Sequence, residues 1–191
     1  VIVGAEVMSR MMDFEDTNCD LFGDGAGAVV LELTEGAGEV LWTEVGTDTW
    51  AADLTYSRGH DTRLHDRPEK PDSFLLGHEV QRYALKLIPE VAARTLENAN
   101  RALDLGLTPD DISLYICHQA NSRIFEFPAK KLGVPVERFF VNVDRRANCS
   151  SASVLIALAE AQEEGRIEPG DRVMLISFGG GMTWGSTLIE W

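Results

Sequence analysis

The residues best suited to chemistry in this sequence follow a short apolar run. Residues 112–117 are typical of a buried strand, and His118-Gln-Ala-Asn121 comes directly after them. If the chain turns into a helix here, these polar groups lie at the carboxyl edge of a sheet, where open α/β folds hold their active sites. Short motifs also match by chance, so a single buried and satisfied histidine is the alternative interpretation.

The surrounding sequence predicts an alternation of strands and helices that would carry this edge. Apolar residues recur at helical spacing from Glu79 onward, but Pro89 removes a hydrogen bond and is expected to divide that helix in two, 79–88 and 89–103. A helix is predicted over 122–132, and another after the small residues 147–153, capped by Ser150 or Ser151 and ended by Gly165. Strands are predicted at 1–6 (buried), around 29–31, at 39–46, 112–117, 138–142 and 172–177, with 187–191 pairing with 172–177 as a hairpin.

Glycines at positions 23, 25 and 27 precede the second predicted strand. Their spacing is not that of a dinucleotide-binding loop, which also follows a strand and opens a helix. A tight turn with close backbone approach is the better prediction.

Residues 47–73 are polar and show no period, and a loop of this length usually forms a lid or a substrate contact. The pairs His60-Asp61 and His65-Asp66 resemble metal ligands only superficially, because no helix fixes their spacing. We therefore expect no metal site.

Composition places the chain among ordinary globular proteins, with 45% hydrophobic and 25% charged residues in 191. No apolar run reaches the ~18 to 20 residues of a membrane span. The start, Val1-Ile-Val-Gly, has neither a basic signal region nor an initiator methionine, so we expect the interior of a longer polypeptide. Three cysteines favour a reducing cytoplasm over a disulfide framework.

The net charge of −14 argues against nucleic acid as a partner, but the charge is unevenly distributed. Residues 118–146 contain six basic residues against three acidic ones. A basic island beside the candidate site favours docking of an acidic partner or a phosphorylated ligand. Chance clustering on a solvated surface is the alternative. The six basic residues are Arg123, Lys130, Lys131, Arg138, Arg145 and Arg146.

Three short motifs follow one another along the chain: His118-Gln-Ala-Asn, Ala147-Asn-Cys-Ser-Ser-Ala-Ser and Phe178-Gly-Gly-Gly-Met-Thr-Trp-Gly-Ser. Together with Phe22-Gly-Asp-Gly-Ala-Gly they closely resemble the second half of β-ketoacyl-acyl-carrier-protein synthase III, a thiolase-fold condensing enzyme, over essentially the whole chain. The resemblance implies an α/β, thiolase-like layered fold. Residues 1–36 would end the amino-terminal half, and residues 37–191 would form the carboxyl-terminal half with the active-site His and Asn.

The resemblance also implies roles for individual residues. The family condenses an acyl thioester with malonyl-acyl-carrier protein by a Cys-His-Asn triad, and the motifs assign its histidine to His118 and its asparagine to Asn148. Two such donors suit the enolate oxygen that forms as carbon dioxide leaves, with His118 neutral. Gly180 resembles the residue whose backbone N–H serves the oxyanion hole of the acyl group.

Substrate and partner contacts are implied in the same way. Asn121 and Arg123 match positions that contact pantetheine and the carrier protein, and Lys130 and Lys131 extend this basic surface. The substrates would be acyl-coenzyme A and malonyl-acyl-carrier protein, with no other cofactor. The resemblance implies a cytoplasmic homodimer that also includes the missing amino-terminal half.

The chain departs from the family pattern around Asn148. The family usually has Tyr-Gly before the asparagine and Thr after it, whereas this chain has Arg146-Ala147 and Cys149. An alanine at position 147 would be strained if the backbone there needs a positive φ. Cys149 is expected to be a small packing residue.

The family's nucleophilic cysteine would lie upstream of Val1, and Cys19 does not match its motif. Because a thiolate must hold the acyl group, this chain is not expected to complete a condensation alone. Two hypotheses follow: the carboxyl-terminal portion of a condensing synthase, or a non-catalytic thiolase-fold partner that binds a carrier protein. Related thiolase-fold acyltransferases remain open within the first.

Overall fold

A computed structural model describes residues 1–12, 14–15, 17–33, 38–57 and 73–191. Within them the chain forms eight strands and four α-helices, joined by short 3-10 turns. In chain order these are β1 (Ile2–Glu6), β2 (Gly25–Val29), β3 (Glu39–Thr47), β4 (Thr55–Ser57), β5 (Ser73–Leu75), α1 (Gly77–Leu103), β6 (Leu114–Cys117), α2 (Glu126–Leu132), α3 (Val143–Arg146), α4 (Ser153–Glu163), β7 (Arg172–Gly179) and β8 (Thr183–Glu190).

The central sheet has the strand order β3-β8-β7-β6. Strands β6 and β7 are parallel, with Cys117 opposite Ile176, and the other neighbours are antiparallel. The carboxyl ends of two adjacent parallel strands therefore meet at one edge of the sheet. The hairpin predicted at the end of the chain is confirmed as β7 and β8, although both strands are longer than predicted.

Helices cover both faces of the central sheet. The buried stripe of α1 packs on one face, where it forms the larger apolar core. Helix α4 packs on the other face and also contacts β2, which pairs with β1 in a separate two-stranded sheet. The predicted layered α/β fold is confirmed.

The glycines of β2 belong to the strand itself, so the predicted turn is wrong, whereas the close approach is right. A Cβ atom added at Gly27 would lie 2.6 Å from Cβ of Leu155 on α4, and one added at Gly4 of β1 would lie 2.6 Å from the carbonyl oxygen of Ser151. Glycine on this face lets the helix backbone sit against the two-stranded sheet.

The prediction that residues 1–6 form a buried strand is wrong in its burial. Strand β1 exists, but only Gly4 is buried, and Ile2 and Val3 are exposed, because one face of this small sheet is covered by α4 and the turn before it. Val30 and Leu31, predicted as the body of the second strand, follow β2 and are also exposed.

The predicted division of the long helix at Pro89 is also wrong. Helix α1 runs through 27 residues with Pro89 inside it. Pro89 and its neighbour Ile88 are buried against the core, and burial of a whole helix face outweighs one lost backbone hydrogen bond.

The segment predicted as a strand at 138–142 instead protects the outer edge of β6. Here the chain forms a 3-10 turn, Val136–Arg138, and then a single parallel bridge between Phe139 and Tyr115. The N–H of Phe140 donates to the carbonyl oxygen of Tyr115 at 3.0 Å, and the Phe139 and Tyr115 rings stack at 4.9 Å. One bridge and one aromatic stack are enough to cover this short edge.

Neither serine proposed as a cap serves α4. A 3-10 turn, Ser150–Ala152, precedes the helix, and Ser151 donates its hydroxyl to Glu6 at 2.7 Å instead. The end of the helix is as predicted, with Gly165 in a left-handed conformation. The helix predicted at 122–132 forms a 3-10 turn, Ser122–Ile124, followed by α2.

Parts of the predicted loop at 47–73 are ordered as a 3-10 turn, Thr49–Leu54, and as β4 and β5, which pair with each other. The His-Asp pairs at 60–61 and 65–66, and the domain boundary predicted at Gly36, lie outside the described residues. None of the helices in the described ranges has the length and apolar character to cross a bilayer.

Candidate active site

His118 occupies the end of β6, where the strand ladder positions its backbone. Its N–H donates to the carbonyl oxygen of Ile176 at 2.8 Å, which extends the pairing with β7 by one residue. Its ring is 9% exposed and meets Phe178 edge to face. Burial lowers the pKa of His118 to about 4, so the imidazole is neutral at physiological pH.

The ring nitrogens of His118 have no hydrogen-bond partner among the described residues. A buried neutral imidazole carries one N–H donor and one acceptor. The ring is therefore not the satisfied core histidine of the alternative interpretation, and it can donate to a bound group.

Asn148 lies in the loop after α3, held from both sides by the segment around Phe22. Its N–H donates to the carbonyl oxygen of Leu21 at 2.8 Å, and its own carbonyl oxygen accepts from the N–H of Gly23 at 3.0 Å. Its side-chain Oδ1 accepts from the N–H of Ser150 at 2.9 Å, which orients the amide. The Nδ2 group of this 8% exposed side chain keeps its donors for a ligand.

His118, Asn121, Asn148 and Gly180 line one cavity of about 830 Å³. The cavity opens at the edge where β6 and β7 end, and Phe178 and Cys19 contribute to its wall. The structure thus brings together His118 and Asn121 with Asn148 and Gly180, which lie about 30 and 60 residues further along the sequence. Two amide-type or imidazole donors beside a cavity can stabilise a developing oxyanion.

Gly180 has room for a side chain in this structure. A Cβ atom added there would meet only the carbonyl oxygen of Thr55, at 3.8 Å. The position that requires glycine is Gly181, with φ of +138° and Thr183 in the way of any Cβ. Any steric reason for glycine at position 180 would therefore have to come from a bound ligand.

Asn121 lines the cavity, whereas the basic residues that follow it in the sequence lie on the surface. The Oδ1 of Asn121 accepts from the N–H of Arg123 at 2.9 Å and so caps the 3-10 turn that follows. The side chains of Arg123, Lys130 and Lys131 are exposed and do not line the cavity.

The predicted basic island is smaller in the structure than in the sequence. Arg138 lies 3.8 Å from Asp110, and Arg145 and Arg146 both pair with Glu160. These acidic partners come from outside residues 118–146, so a count along the sequence could not include them.

Two of the three cysteines are buried thiols with structural surroundings. The thiol of Cys149 donates to the carbonyl oxygens of Arg146 at 3.0 Å and Asp24 at 3.5 Å, and burial, then the Asp24 charge, raise its pKa. Burial also raises the pKa of Cys117. Cys19 lines the cavity 3.6 Å from a carboxylate oxygen of Asp20, which does not favour a thiolate. In the part of the chain that the structure describes, no cluster of His, Cys, Asp and Glu could hold a metal ion.

Sequence reasoning missed Gln119, which joins the two halves of the site. This fully buried side chain donates to the carbonyl oxygens of Cys117 at 2.9 Å and Phe140 at 3.1 Å. Its Oε1 accepts from the N–H groups of Asn142 at 3.0 Å and Val143 at 3.2 Å. A polar residue next to an apolar strand was the available signal, but three of its four partners, Phe140, Asn142 and Val143, lie over twenty residues away.

Comparisons with known proteins agree with this architecture. A family profile described as "3-Oxoacyl-[acyl-carrier-protein (ACP)] synthase III C terminal" matches residues 103–191, and one described as "3-Oxoacyl-[acyl-carrier-protein (ACP)] synthase III" matches residues 1–49. The chain is 42% identical over 198 residues to a β-ketoacyl-[acyl-carrier-protein] synthase III of Sinorhizobium medicae, covering 100% of this chain and 58% of that protein. A protein of the same name from Roseiflexus sp. is 42% identical over 197 residues, with the same coverage.

Solved structures give the same result. The 3-oxoacyl-[acyl-carrier-protein] synthase III of Aquifex aeolicus superposes with a TM-score of 0.85 at 37% identity, over 99% of this chain and 56% of that one. The synthase III of Thermus thermophilus gives 0.84 at 40% identity, over 99% and 58%. The layered fold is thus that of the thiolase-like condensing enzymes. Within that class, the chain belongs to the 3-oxoacyl-[acyl-carrier-protein] synthase III family and spans 58% of the length of these curated relatives.

Proposed function

We propose that this chain supplies the enolate-stabilising part of an acyltransferase that joins an acyl thioester to malonyl-acyl-carrier protein, as in fatty acid biosynthesis. The observation that carries the proposal is the pair His118 and Asn148 on one cavity, each with a side-chain donor that the described protein does not use. The matched relatives are named for the same synthase.

The geometry suits a decarboxylative Claisen condensation. The bond from the malonyl carboxylate to its α-carbon breaks, carbon dioxide leaves, and the electron pair forms an enolate whose oxygen accepts hydrogen bonds from His118 and Asn148. The α-carbon then attacks the acyl thioester and expels a thiolate. Donors that are already fixed when this charge develops lower the barrier without reorganisation.

A neutral His118 supports this role. Burial keeps the imidazole uncharged, and the neutral ring still carries one N–H that can donate to the enolate oxygen. We propose that the backbone N–H of Gly180, on the same cavity, serves the oxyanion of the acyl group in the second step.

We propose that the acyl-holding cysteine lies in the portion of the relatives that these 191 residues do not span. Support comes from the buried Cys117 and Cys149, whose raised pKa values disfavour thiolates, and from Cys19 beside an acidic side chain. On this basis the 191 residues alone do not complete the condensation.

We further propose that coenzyme A and pantetheine thioesters enter past Asn121, and that Arg123, Lys130 and Lys131 attract the acidic carrier protein. All three cations are exposed, and the N–H of Arg123 donates to the side chain of Asn121, which lines the cavity. We also propose a homodimer in the cytoplasm. The use of cysteine as thiols supports a reducing compartment.

Two measurements on the full-length protein test the proposal. Incubation with acyl-coenzyme A followed by peptide mass mapping should give one acyl adduct on an upstream cysteine. An adduct on Cys19 or Cys149, or none, would contradict the assignment. Release of carbon dioxide from malonyl-acyl-carrier protein should fall at least 100-fold in His118→Ala. Unchanged release in that variant would contradict the role of His118, and no release by the wild type would favour a non-catalytic binding partner.

A further inference from the structure

Ala147, the residue directly before Asn148, adopts a backbone conformation that is nearly restricted to glycine. Its φ is 58° and its ψ is −172°. A residue with a side chain in this region is strained and persists only where its surroundings fix it on both sides. The sequence predicted strain at Ala147 if the backbone there had a positive φ, and the structure shows that positive φ. Because Ala147 directly precedes Asn148, the contacts that hold Ala147 also bear on the position of Asn148.

The segment before Ala147 is held by one carboxylate of α4, that of Glu160. Helix α3 ends in Arg145 and Arg146, and Nη2 of Arg145 lies 3.2 Å from Oε2 of Glu160 while Nε of Arg146 pairs with Oε1. The side-chain amide of Asn142, which precedes α3, also donates to Oε2 at 2.8 Å. Both oxygens of Glu160 are therefore occupied by donors from the beginning and the end of α3.

Glu160 is well suited to hold this helix. The residue is 9% exposed, so its ion pairs are less screened than surface pairs. Burial raises the pKa of its carboxyl, but the hydrogen bonds from Asn142, Arg146 and Arg145 outweigh it, and the net pKa is lowered. The side chain stays an anion at physiological pH. Removing the charge would leave two arginines without their buried partner.

The segment after Ala147 is anchored independently. The backbone of Asn148 exchanges hydrogen bonds with Leu21 and Gly23, and the N–H of Cys149 donates to Oγ of Ser153 at 3.0 Å. Ala147 thus lies between two segments that are each held by other contacts, and Ser150 in the second of them also has a positive φ, of 49°. If the α3 side is released, Ala147 can relax only by turning the peptide that it shares with Asn148. That turn works against the hydrogen bond from the Asn148 N–H to Leu21 and shifts the Asn148 side chain.

Helix α3 is also joined to the other donor of the site. The Oε1 of Gln119, next to His118, accepts from the N–H groups of Asn142 and Val143 at the start of α3. One short helix therefore touches the strand end that carries His118 and the loop that carries Asn148.

We propose that Glu160 is a positioning residue for Asn148: by holding both arginines of α3, it maintains the strained turn at Ala147 that aims the Asn148 amide at the enolate oxygen. The inference rests on the proposed decarboxylative function. It concerns the first chemical step only, because acyl transfer to the upstream cysteine does not use Asn148.

The test is Glu160→Gln in the full-length protein, a change that keeps the size of the side chain and removes its charge. We expect kcat for decarboxylation of malonyl-acyl-carrier protein to fall about tenfold, or about 1.4 kcal/mol in activation free energy. KM for this substrate and the rate of acyl transfer from acyl-coenzyme A should change less than twofold. Glu164→Gln is the matched control, because Glu164 pairs with the same Arg145 at 2.9 Å but is not buried. It should leave kcat within twofold of wild type.

A second substitution separates positioning from a general loss of structure. In an Ala147→Gly background the turn is unstrained, so it should persist without the ion pairs of Glu160. Glu160→Gln should then lower kcat less than threefold. If Glu160→Gln does not fold, Arg146→Gln breaks the same pair from the other side and is compared in both backgrounds.

The outcomes are distinct. A wild-type protein that does not decarboxylate malonyl-acyl-carrier protein contradicts the proposed function itself. If the wild type is active, equal kcat in Glu160→Gln contradicts the positioning role. A tenfold loss that Ala147→Gly does not reduce, or a loss shared equally by acyl transfer, contradicts it as well.

Discussion

The ring of His118 meets that of Phe178 edge to face, with centroids 5.2 Å apart and planes at 89°. The contact exists because β6 and β7 are parallel neighbours, so His118, directly after β6, lies beside the last residues of β7. A histidine packed on an aromatic ring gains little from a positive charge and loses hydration. The strand pairing therefore determines the protonation state of the proposed enolate donor.

The first prediction concerns stability at low pH. The pKa of His118 is lowered from 6.5 to about 4 in the folded protein. Between these values the unfolded chain binds the proton and the folded chain does not, so stability falls as the pH drops from about 6.5 toward 4. The loss attributable to His118 is up to about 3 kcal/mol, since each pKa unit corresponds to about 1.4 kcal/mol.

Urea unfolding at pH 7 and pH 4.5 checks this for wild type and His118→Gln. The variant should lose less stability on acidification than wild type does, whatever its stability at pH 7. His78→Gln changes a histidine at an exposed position of α1 and is the control. It should lose as much stability between pH 7 and pH 4.5 as wild type does. Identical pH dependence in wild type and His118→Gln would show that the imidazole is not desolvated.

The second prediction concerns the approach of α4 to β2. Gly27→Ala places a methyl group 2.6 Å from Cβ of Leu155, and the helix backbone cannot give way without moving Asn148 and its loop. We expect a loss of about 1–3 kcal/mol in the free energy of unfolding. Gly185→Ala in β8 is the matched control, because its nearest contact would be 3.5 Å, and it should be neutral or stabilising by up to about 1 kcal/mol. Equal effects of both changes in chemical denaturation would contradict the close packing.

The two-stranded sheet also shows where sequence patterns stop being informative. Runs such as 112–117 and 172–177 predicted their strands correctly, because a continuous apolar run has few alternatives in a layered fold. The glycines of β2 look like a turn in the sequence. Their reason is the helix packed on them, which lies over a hundred residues away.

The same limit applies to Pro89 and to the site. Local propensity predicts a break at Pro89, and only the packing of the whole helix on the sheet overrides it. The motifs singled out His118 and Asn148, but not Glu160 or Gln119. These two act through partners that fold, rather than spacing, brings near. Residues that hold a site are therefore harder to find from sequence than residues with reactive groups.

The third prediction separates two roles of Asn121. Its Oδ1 caps the turn before α2, and the residue also lines the cavity proposed to admit pantetheine. Asn121→Ser keeps a capping oxygen and loses the amide donor, whereas Asn121→Ala loses both. We expect Ala to cost about 1 kcal/mol in thermal or chemical denaturation and Ser to cost a few tenths. Both should raise KM for malonyl-acyl-carrier protein several-fold. If Ser restores KM together with stability, Asn121 is a cap and not a substrate contact.

The last prediction concerns the exposed cations beside the site. Arg123 and Lys130 have no ion-pair partner among the described residues, unlike Arg138, Arg145 and Arg146. Long-range attraction to an acidic carrier protein should therefore depend on them. Reversing the charge at either position should raise KM for malonyl-acyl-carrier protein about tenfold at low salt, and the effect should shrink as ionic strength rises.

A small thioester substrate distinguishes docking from catalysis. With malonyl-pantetheine in place of the carrier-bound substrate, Lys130→Glu should react like wild type, because the carrier surface is absent. Lys86→Glu makes the same charge change at an exposed position of α1 and is the control for net charge. If Lys86→Glu raises KM for the carrier-bound substrate as much as Lys130→Glu does, the effect comes from overall charge and the basic surface near Asn121 is not the docking site. If Lys130→Glu slows both substrates equally, its effect lies in the site and not in docking.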